Sequence, residues 1–561
     1  MAEQQVYEKF FGDSSFPVSW SGEAEKGEFW WYDDLHCPKP ISPMYFDVGG
    51  WWGDTCTYMF RRFGVPFGKE WPAKKINGYV YSAVLRRDDA DAARQAPYFN
   101  MVLPVYANRF LDWWEKRYLP EIQANLEYID TFPYTETSLP EMMIVLEDAL
   151  DMQERHFRIH WILNLAQFAA FTQFSQVAAK VAGEGAAELA GKVLVSVQDR
   201  NWDSTYDLWK IKEKVKAQPM LVKVFRDADS TEAIRVALEV TPVGRELLTD
   251  IARYTEEYGY KAVYSHEYIY PLWKEDPTPI YEMLRGYLAT DYDVRADQER
   301  VKREQENAIV ELRGRIPSDA KRAEFEEALK LALAMAPLTP DHHFYIDQGT
   351  YARMRVVFLE IGKKLVARGD FDRPDDIFYL VYDEVRHLAA DPSAFEARPI
   401  IAERRAELQS ALSIAPRDWV GTADHWSLHE QGYIGLWGYP ERFELSQKKS
   451  KEPVGEVHGL PASAGVVEGT ARFVDDPEDF DKVRKGDILV CRMTNPAWTL
   501  VFTKISGLVT DSGGVLSHPA VVSREFGIPA VTSTLDGTSK IKSGQRVRVD
   551  GTHGVVYILG E

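Results

Sequence analysis

The stretch "DSGGVLSHPAVVSREFGIPAV", residues 511–531, decides how the rest of the chain is read. A Gly-Gly pair and a Ser-His-Pro triplet precede a short amphipathic run that closes at Gly527-Ile528-Pro529. Pro519 falls where a first helical turn lacks a use for its N–H, so the pattern predicts a helix over about 518–526, opened by Ser517 and His518. The free N–H groups and positive dipole end of such a helix suit an anion. The same field disfavours a cationic imidazole and leaves His518 a neutral, nucleophilic nitrogen. Gly513 and Gly514 let the backbone close around a phosphate, with Ser517 beside them. On this chemistry alone two readings stand: a histidine that accepts a phosphoryl group, and a structural histidine capping a helix.

Around this stretch the rhythm is that of short strands. "GVVEGTARFV", "GDILVCRM", "GLVTDSGG", "PAVTST" and "QRVRVDGTHGVVYIL" are β-like runs bounded by Gly, Asp or Pro, with the one helix interrupting them. Upstream, "LSQKKSKEPVGEVHGLPASAG" (445–465) is polar, basic and punctuated by Pro and Gly, as an inter-domain linker is. The expected organisation is therefore a domain over 1–445, a linker at 446–456 and a tail domain over 457–561.

The first of these is mainly helical from about residue 105 onward. "SLPEMMIVLEDALDMQERHFRIHWILNLAQFAAFTQFSQVAAKVA" repeats apolar residues at helical spacing, and "MRVVFLEIGKKLVARGDF" does so until Gly369 stops it. "DRPDDIFYLVYDEVRHLAAD" opens with Asp and Pro before a further helix or strand-helix step. Residues before about 100 read as irregular, with strand-like pieces such as "NGYVYSAVL". Sixteen tryptophans cluster in "FWWYDD", "GGWWGD" and "LDWWEKRY". Such clusters serve core packing or line a small-molecule pocket, and both uses stay open.

At 561 residues the chain exceeds one hydrophobic core. A net charge of −20 argues against nucleic acid and anionic lipid as partners. Three cysteines, Cys37, Cys56 and Cys491, form neither a disulfide framework nor a zinc pattern. No signal-peptide core or membrane-length apolar run occurs, so a cytoplasmic location is expected.

The tail also carries a family resemblance. "GLPASAGVVEGTARFV", then "GDILVCRMTNPAWTLVF", then "ISGLVTDSGGVLSHPAVVSREFGIPAV" occur in the order and spacing of the phosphohistidine domain of the phosphoenolpyruvate-utilising enzymes. That superfamily includes pyruvate phosphate dikinase, phosphoenolpyruvate synthase, rifampin phosphotransferase and the arylphosphate synthases. The resemblance implies a multidomain α+β protein: a large, mainly α-helical acceptor domain and a C-terminal β/β/α swivelling domain whose His518 carries the phosphoryl group. Leu516 stands where the dikinases have a regulatory threonine, so phosphothreonine control is not expected. Pro519 replaces a common alanine without bearing on the chemistry.

The same resemblance implies a donor site and an acceptor site. No barrel is expected after the tail, and no ATP-grasp or GxxxxGK[ST] signature is read in the first 450 residues. Phosphoenolpyruvate and pyruvate are therefore not expected as substrates. ATP and Mg²⁺ are expected on a separate ATP-grasp subunit, with no cofactor and no metal held by this chain alone. The layout resembles the large subunit of phenylphosphate synthase and of the cresol-phosphorylating enzymes, and rifampin phosphotransferase without its ATP-grasp domain. "FWWYDDLHCPKPISPMYFD" resembles the start of their acceptor domain. The implied activity is transfer of a phosphoryl group through His518 to a small aromatic hydroxyl compound of the phenol or cresol type. Two alternatives remain: an antibiotic-directed, rifampin-type component, and a phosphocarrier relay without acceptor chemistry of its own.

Acceptor chemistry needs a base and a phosphate clamp. "TPDHHFYIDQGTYARMRVVFLEIGKKL" (339–365) concentrates both kinds of group. His342 and His343 are candidate bases or a helix-capping surface pair, one facing inward while its neighbour is solvated. Arg353 and Arg355 are candidate clamps, although two positions apart on a helix they face different ways. Asp341, Tyr345 and Asp347 are candidate substrate contacts. In "QERHFRIHW", His156 and His160 share a helical face at i, i+4. That spacing can bind zinc, but no third ligand is evident and HExxH is absent, so packing or a place in the acceptor pocket is expected.

Overall fold

The computed structural model describes residues 16–422, 424–425 and 455–560, apart from 51, 184, 291–292, 475, 495–497, 503 and 514–516. Two compact units emerge. The first holds residues up to 169, 264–270 and 342–428; the second holds 170–263, 271–341 and 429–561. Of the expected linker at 446–456, only Gly455 and Glu456 are among the described residues.

Strands of the first unit are β1 (Phe29–Tyr32), β2 (Ala73–Ile76), β3 (Tyr79–Ser82) and β4 (Trp419–Gly421). Those of the second are β5 (Glu456–His458), β6 (Leu460–Ser463), β7 (Val466–Phe473), β8 (Ile488–Cys491), β9 (Gly507–Thr510), β10 (Ala530–Thr532), β11 (Arg546–Asp550) and β12 (Val555–Gly560). The helices that position the sites are α1 (Leu119–Thr131), α2 (Leu139–Ala182), α3 (Arg200–Lys216), α4 (Val294–Arg315), α5 (Gly349–Arg368) and α6 (His518–Glu525).

In the first unit the strands make one sheet in the order β2-β3-β1-β4. Its pairings are antiparallel, and all four residues of β1 and of β3 are buried. Helix α2 starts at a Ser-Leu-Pro-Glu sequence in which the Glu141 carboxylate accepts the Ser138 N–H at 2.7 Å, half of a capping box. Its buried residues Met142, Val145, Leu146, Ala149, Gln153, His156, Phe157 and His160 recur at helical spacing on one stripe. The tryptophans pack here: Trp31 meets Trp71 at 5.4 Å between centroids, and Trp71 meets Trp161 at 5.1 Å. Each such pair contributes about 0.5–1.5 kcal/mol beyond its buried area.

The run into α5 departs from an ordinary helix. An α-helical turn at Leu338–His342 passes into a π-helix at His343–Gln348 and then into α5. The segment "DRPDDIFYLVYDEVRHLAAD" becomes a 3₁₀ turn (Pro374–Tyr379) followed by a helix (Tyr382–Ala390).

The second unit carries an eight-stranded sheet in the order β5-β12-β11-β7-β8-β9-β10-β6. The inner pairs β7–β8, β8–β9 and β9–β10 are parallel and the outer ones antiparallel. Strand alternation divides the core. Ile488 and Val490 join Val509, Val531, Val547 and Val556 on one face. Leu489 and Cys491 join Leu508, Ala530, Trp498, Val501, Phe502, Ala520 and Val522 on the other. Parallel neighbours need a crossover, and α6 lies in the one between β9 and β10. This is the mixed helical and β/β/α architecture expected from the sequence. One detail differs: α6 is joined by one-turn helices at Thr499–Phe502 and Gly537–Lys540. Four residues carry too little periodicity to be seen in a sequence.

Gly362, inside α5, allows a close approach to the Pro374 carbonyl: a Cβ there would stand 2.1 Å from that oxygen. Gly362→Ala is expected to destabilise the first unit by about 1–3 kcal/mol through overpacking. The measurement is the urea midpoint followed by tryptophan fluorescence, and an unchanged midpoint would contradict the packing described.

Candidate functional site

Residues singled out in the sequence form two groups, one in each unit. In the second unit, β9 runs into the loop at residue 511 and α6 begins at His518. His518 thus opens a helix just beyond the carboxyl end of a parallel strand, the position at which open α/β sheets bind ligands. Ser517 is the N-cap, with extended backbone (φ −71°, ψ 160°), and Pro519 lies in the first turn, as expected. Gly513 has φ +122°, and a Cβ there would meet the Ser517 hydroxyl oxygen at 2.6 Å. Both facts require glycine. Gly514 and Leu516 lie outside the described residues.

The loop is pinned from below. Asp511 accepts the Thr538 N–H at 2.9 Å and the Thr534 hydroxyl at 3.2 Å. Burial pushes its carboxyl up, against the pull of those donors. At the far end of α6, Arg300 of α4 donates to the Arg524 carbonyl at 2.7 Å, a cation at a helix C-terminus.

The first unit gathers imidazoles around one carboxylate. Asp347 is 1% exposed; its Oδ1 lies 3.0 Å from His160 Nδ1, and its Oδ2 lies 3.9 Å from His342 Nε2. His343 Nδ1 makes the shortest approach to Oδ2. The rings of His160 and His342 stand 4.9 Å apart, those of His342 and His343 4.3 Å. The π-helix explains the convergence. A 3.6-residue turn would carry position i+5 away from i, whereas the wider turn brings His342, His343 and Asp347 onto one side. Burial alone would raise the Asp347 carboxyl, but the charges of His160 and His343 hold it well below the usual carboxylate range. His342 is buried and His343 has a side chain 40% exposed, the inward and outward pair anticipated for them.

The other candidate residues sit elsewhere. His156, four residues before His160, turns to Thr350 Oγ1 (2.9 Å) and Asn125 Nδ2 (3.0 Å). Arg353 pairs with Asp130 at 2.6 Å, and Arg355 donates to the Tyr268 carbonyl and lies over the Phe378 ring at 5.2 Å. The two arginines diverge as their spacing requires. Tyr345 packs edge-on against Phe344 at 5.0 Å. Asp341 accepts the Arg200 N–H at 2.9 Å in the second unit, and burial raises its carboxyl to about 6.

His266 and His36 were not singled out in the sequence. Their rings approach to 5.1 Å, His36 Nδ1 lies 2.9 Å from Asp33, and His266 meets the Tyr351 ring at 5.3 Å. Burial, then the His36 charge, hold His266 well below its ordinary value. A signal existed in "YSHEYIYPLW", where a histidine and a carboxylate interrupt an aromatic run. Glu267 in that run accepts the Ser42 N–H and hydroxyl at 2.6 Å each.

Residues 483–554 match the family model of the PEP-utilising enzyme mobile domain, and residues 160–339 match that of the rifampicin phosphotransferase fourth domain. The tail of the chain is thus similar to the mobile domain of the phosphoenolpyruvate-utilising enzymes, and its central helical region to that of the rifampicin phosphotransferases. The chain is 27% identical over 543 residues to the uncharacterized phosphotransferase YvkC of Bacillus subtilis (strain 168), covering 96% of this chain and 62% of that protein. It is 28% identical to chondramide synthase cmdD of Chondromyces crocatus, over 97% of this chain and 14% of that one. It is 29% identical to rifampicin phosphotransferase of Bacillus subtilis (strain 168), over 54% of this chain and 34% of that one. The chain thus spans less than two thirds of the length of these relatives.

Burial lowers His156 to about 4, against an ordinary 6.5. Between those values the unfolded chain holds a proton that the folded chain does not. Stability contributed by this neutral imidazole is therefore present above about pH 6.5 and is lost as pH falls toward 4, by roughly 3 kcal/mol at most. Urea unfolding at pH 7.5, 5.5 and 4.5 is expected to show this slope, and His156→Gln to flatten it. An identical slope in the variant would refute the assignment.

Proposed function

We propose that this chain is the transfer component of an ATP-dependent phosphotransferase, carrying a phosphoryl group on His518 and passing it to a hydroxyl compound held in the first unit. The observation that carries the reading is His518 at the first position of α6, behind Gly513 and the Ser517 cap, inside the region that matches the mobile domain. An ATP-grasp partner, holding ATP and Mg²⁺, charges His518 and, by analogy with the dikinases, releases AMP and phosphate. The setting is cytoplasmic; among the described residues no helix is long and apolar enough to cross a membrane.

In the acceptor half-reaction the N–P bond at His518 breaks and an O–P bond to the acceptor forms. The hydroxyl proton goes to the imidazole of His343. Its Nδ1 faces the buried carboxylate of Asp347, which leaves Nε2 of this half-exposed ring as the base. A phenol or cresol type of acceptor suits the aromatic surroundings of Trp161, Phe157 and Tyr351. The match to the rifampicin phosphotransferase fourth domain supports a larger, rifampin-type acceptor equally.

The test needs no partner. The full chain is incubated with labelled phosphoramidate, a small phosphoryl donor, and mapped by peptide. An acid-labile label at His518 is expected, absent from His518→Ala and discharged by phenol, p-cresol or rifampicin. A chain that takes no label at His518 would sink the carrier role.

A further inference from the structure

We propose that His160, His342 and Asp347 form a binding site for a divalent first-row transition-metal ion, zinc in the simplest case. This goes beyond the phosphoryl-carrier reading and stands without it. Each residue offers one ligand atom, and those atoms all lie within 4.8 Å of one another in a buried setting. Around a tetrahedral zinc with bonds of about 2.0–2.1 Å, neighbouring ligand atoms stand about 3.3 Å apart. His160 Nδ1 lies 3.0 Å from Asp347 Oδ1 and His342 Nε2 3.9 Å from Oδ2, so a rotation of the carboxylate and small rotamer shifts bring one oxygen and both nitrogens to that spacing.

The donor set selects the ion. Two imidazole nitrogens and one carboxylate suit zinc, iron, cobalt or manganese rather than the all-oxygen preference of calcium or magnesium. Three protein ligands also leave a further position open for water or a bound hydroxyl, as in catalytic rather than structural zinc sites.

A second observation concerns the carboxylate. Both Asp347 oxygens are buried, and neither receives an aligned hydrogen bond. They are approached by the His160 and His343 nitrogens off the hydrogen-bond axis, which leaves lone-pair directions open to coordination. Asn164 Nδ2 lies 2.9 Å from His160 Nε2, and a turn of that amide presents its oxygen to Nε2–H when Nδ1 binds metal, while His343 holds Oδ2. The π-helix that aligns His342 with Asp347 is a departure from α geometry of the kind found at functional sites. The i, i+4 pair at His156 and His160 does not chelate; His160 finds its partners far along the chain instead.

The full chain, stripped with a chelator, is titrated with Co²⁺ and then Zn²⁺. One equivalent of Co²⁺ with visible d–d absorption, displaced by Zn²⁺, is expected, with affinity falling at least about tenfold in His342→Ala and His160→Ala. X-ray absorption of the wild-type zinc adduct is expected to show nitrogen and oxygen ligands including two imidazoles, a readout that does not depend on the variants folding. No stoichiometric binding by wild type, sulfur ligation, or full retention in folded variants would overturn the site. Labelling of His518 is scored separately, so failure of one proposal does not imply failure of the other.

Discussion

One buried negative charge organises the first unit. Asp347, 1% exposed, is surrounded by His160, His342 and His343, and the charges of His160 and His343 hold its carboxyl well below the usual range despite the loss of water. The helices that supply them are constrained accordingly. α2 must present His160 inward from its apolar stripe, and the chain before α5 must widen into a π-turn to bring His342 and His343 onto the side of Asp347. Removing the carboxylate would leave three polar rings without their common partner in an aromatic core.

The second unit uses a different device for its charge. What defines the position of His518 is the end of β9, the left-handed Gly513 and the N-terminus of α6. Backbone N–H groups and a helix dipole stabilise a dianionic phosphoryl without neutralising it permanently. That difference accords with the roles proposed: a carrier must release its phosphoryl group, whereas a proposed acceptor site must hold a proton acceptor still.

The two sites differ in how far they could be seen in the sequence. Asp511, Gly513, Ser517, His518 and Pro519 are neighbours along the chain, so strand end, turn, cap and helix start are local signals that a sequence displays in order. β8 likewise reads as a continuous apolar run, Ile-Leu-Val-Cys, as a strand buried on both faces does. The imidazole–carboxylate cluster is non-local: His160 lies on α2, while His342, His343 and Asp347 come much later in the chain. Their concentration of charged groups drew attention, but no propensity encodes a π-turn, so the partnership with His160 was invisible. Helical periodicity did anticipate that Arg353 and Arg355 would diverge. It could not indicate that Asp130 and the Tyr268 carbonyl would engage them.

The account stands or falls on whether Asp347 serves discharge rather than charging. Wild type and Asp347→Asn, each loaded with phosphate at His518, would be mixed with phenol, p-cresol or rifampicin and quenched over time. The account predicts equal loading and transfer slowed at least about a hundredfold in the variant, the scale of a general base that has lost the carboxylate orienting it. Transfer at the wild-type rate by a folded Asp347→Asn chain would contradict it.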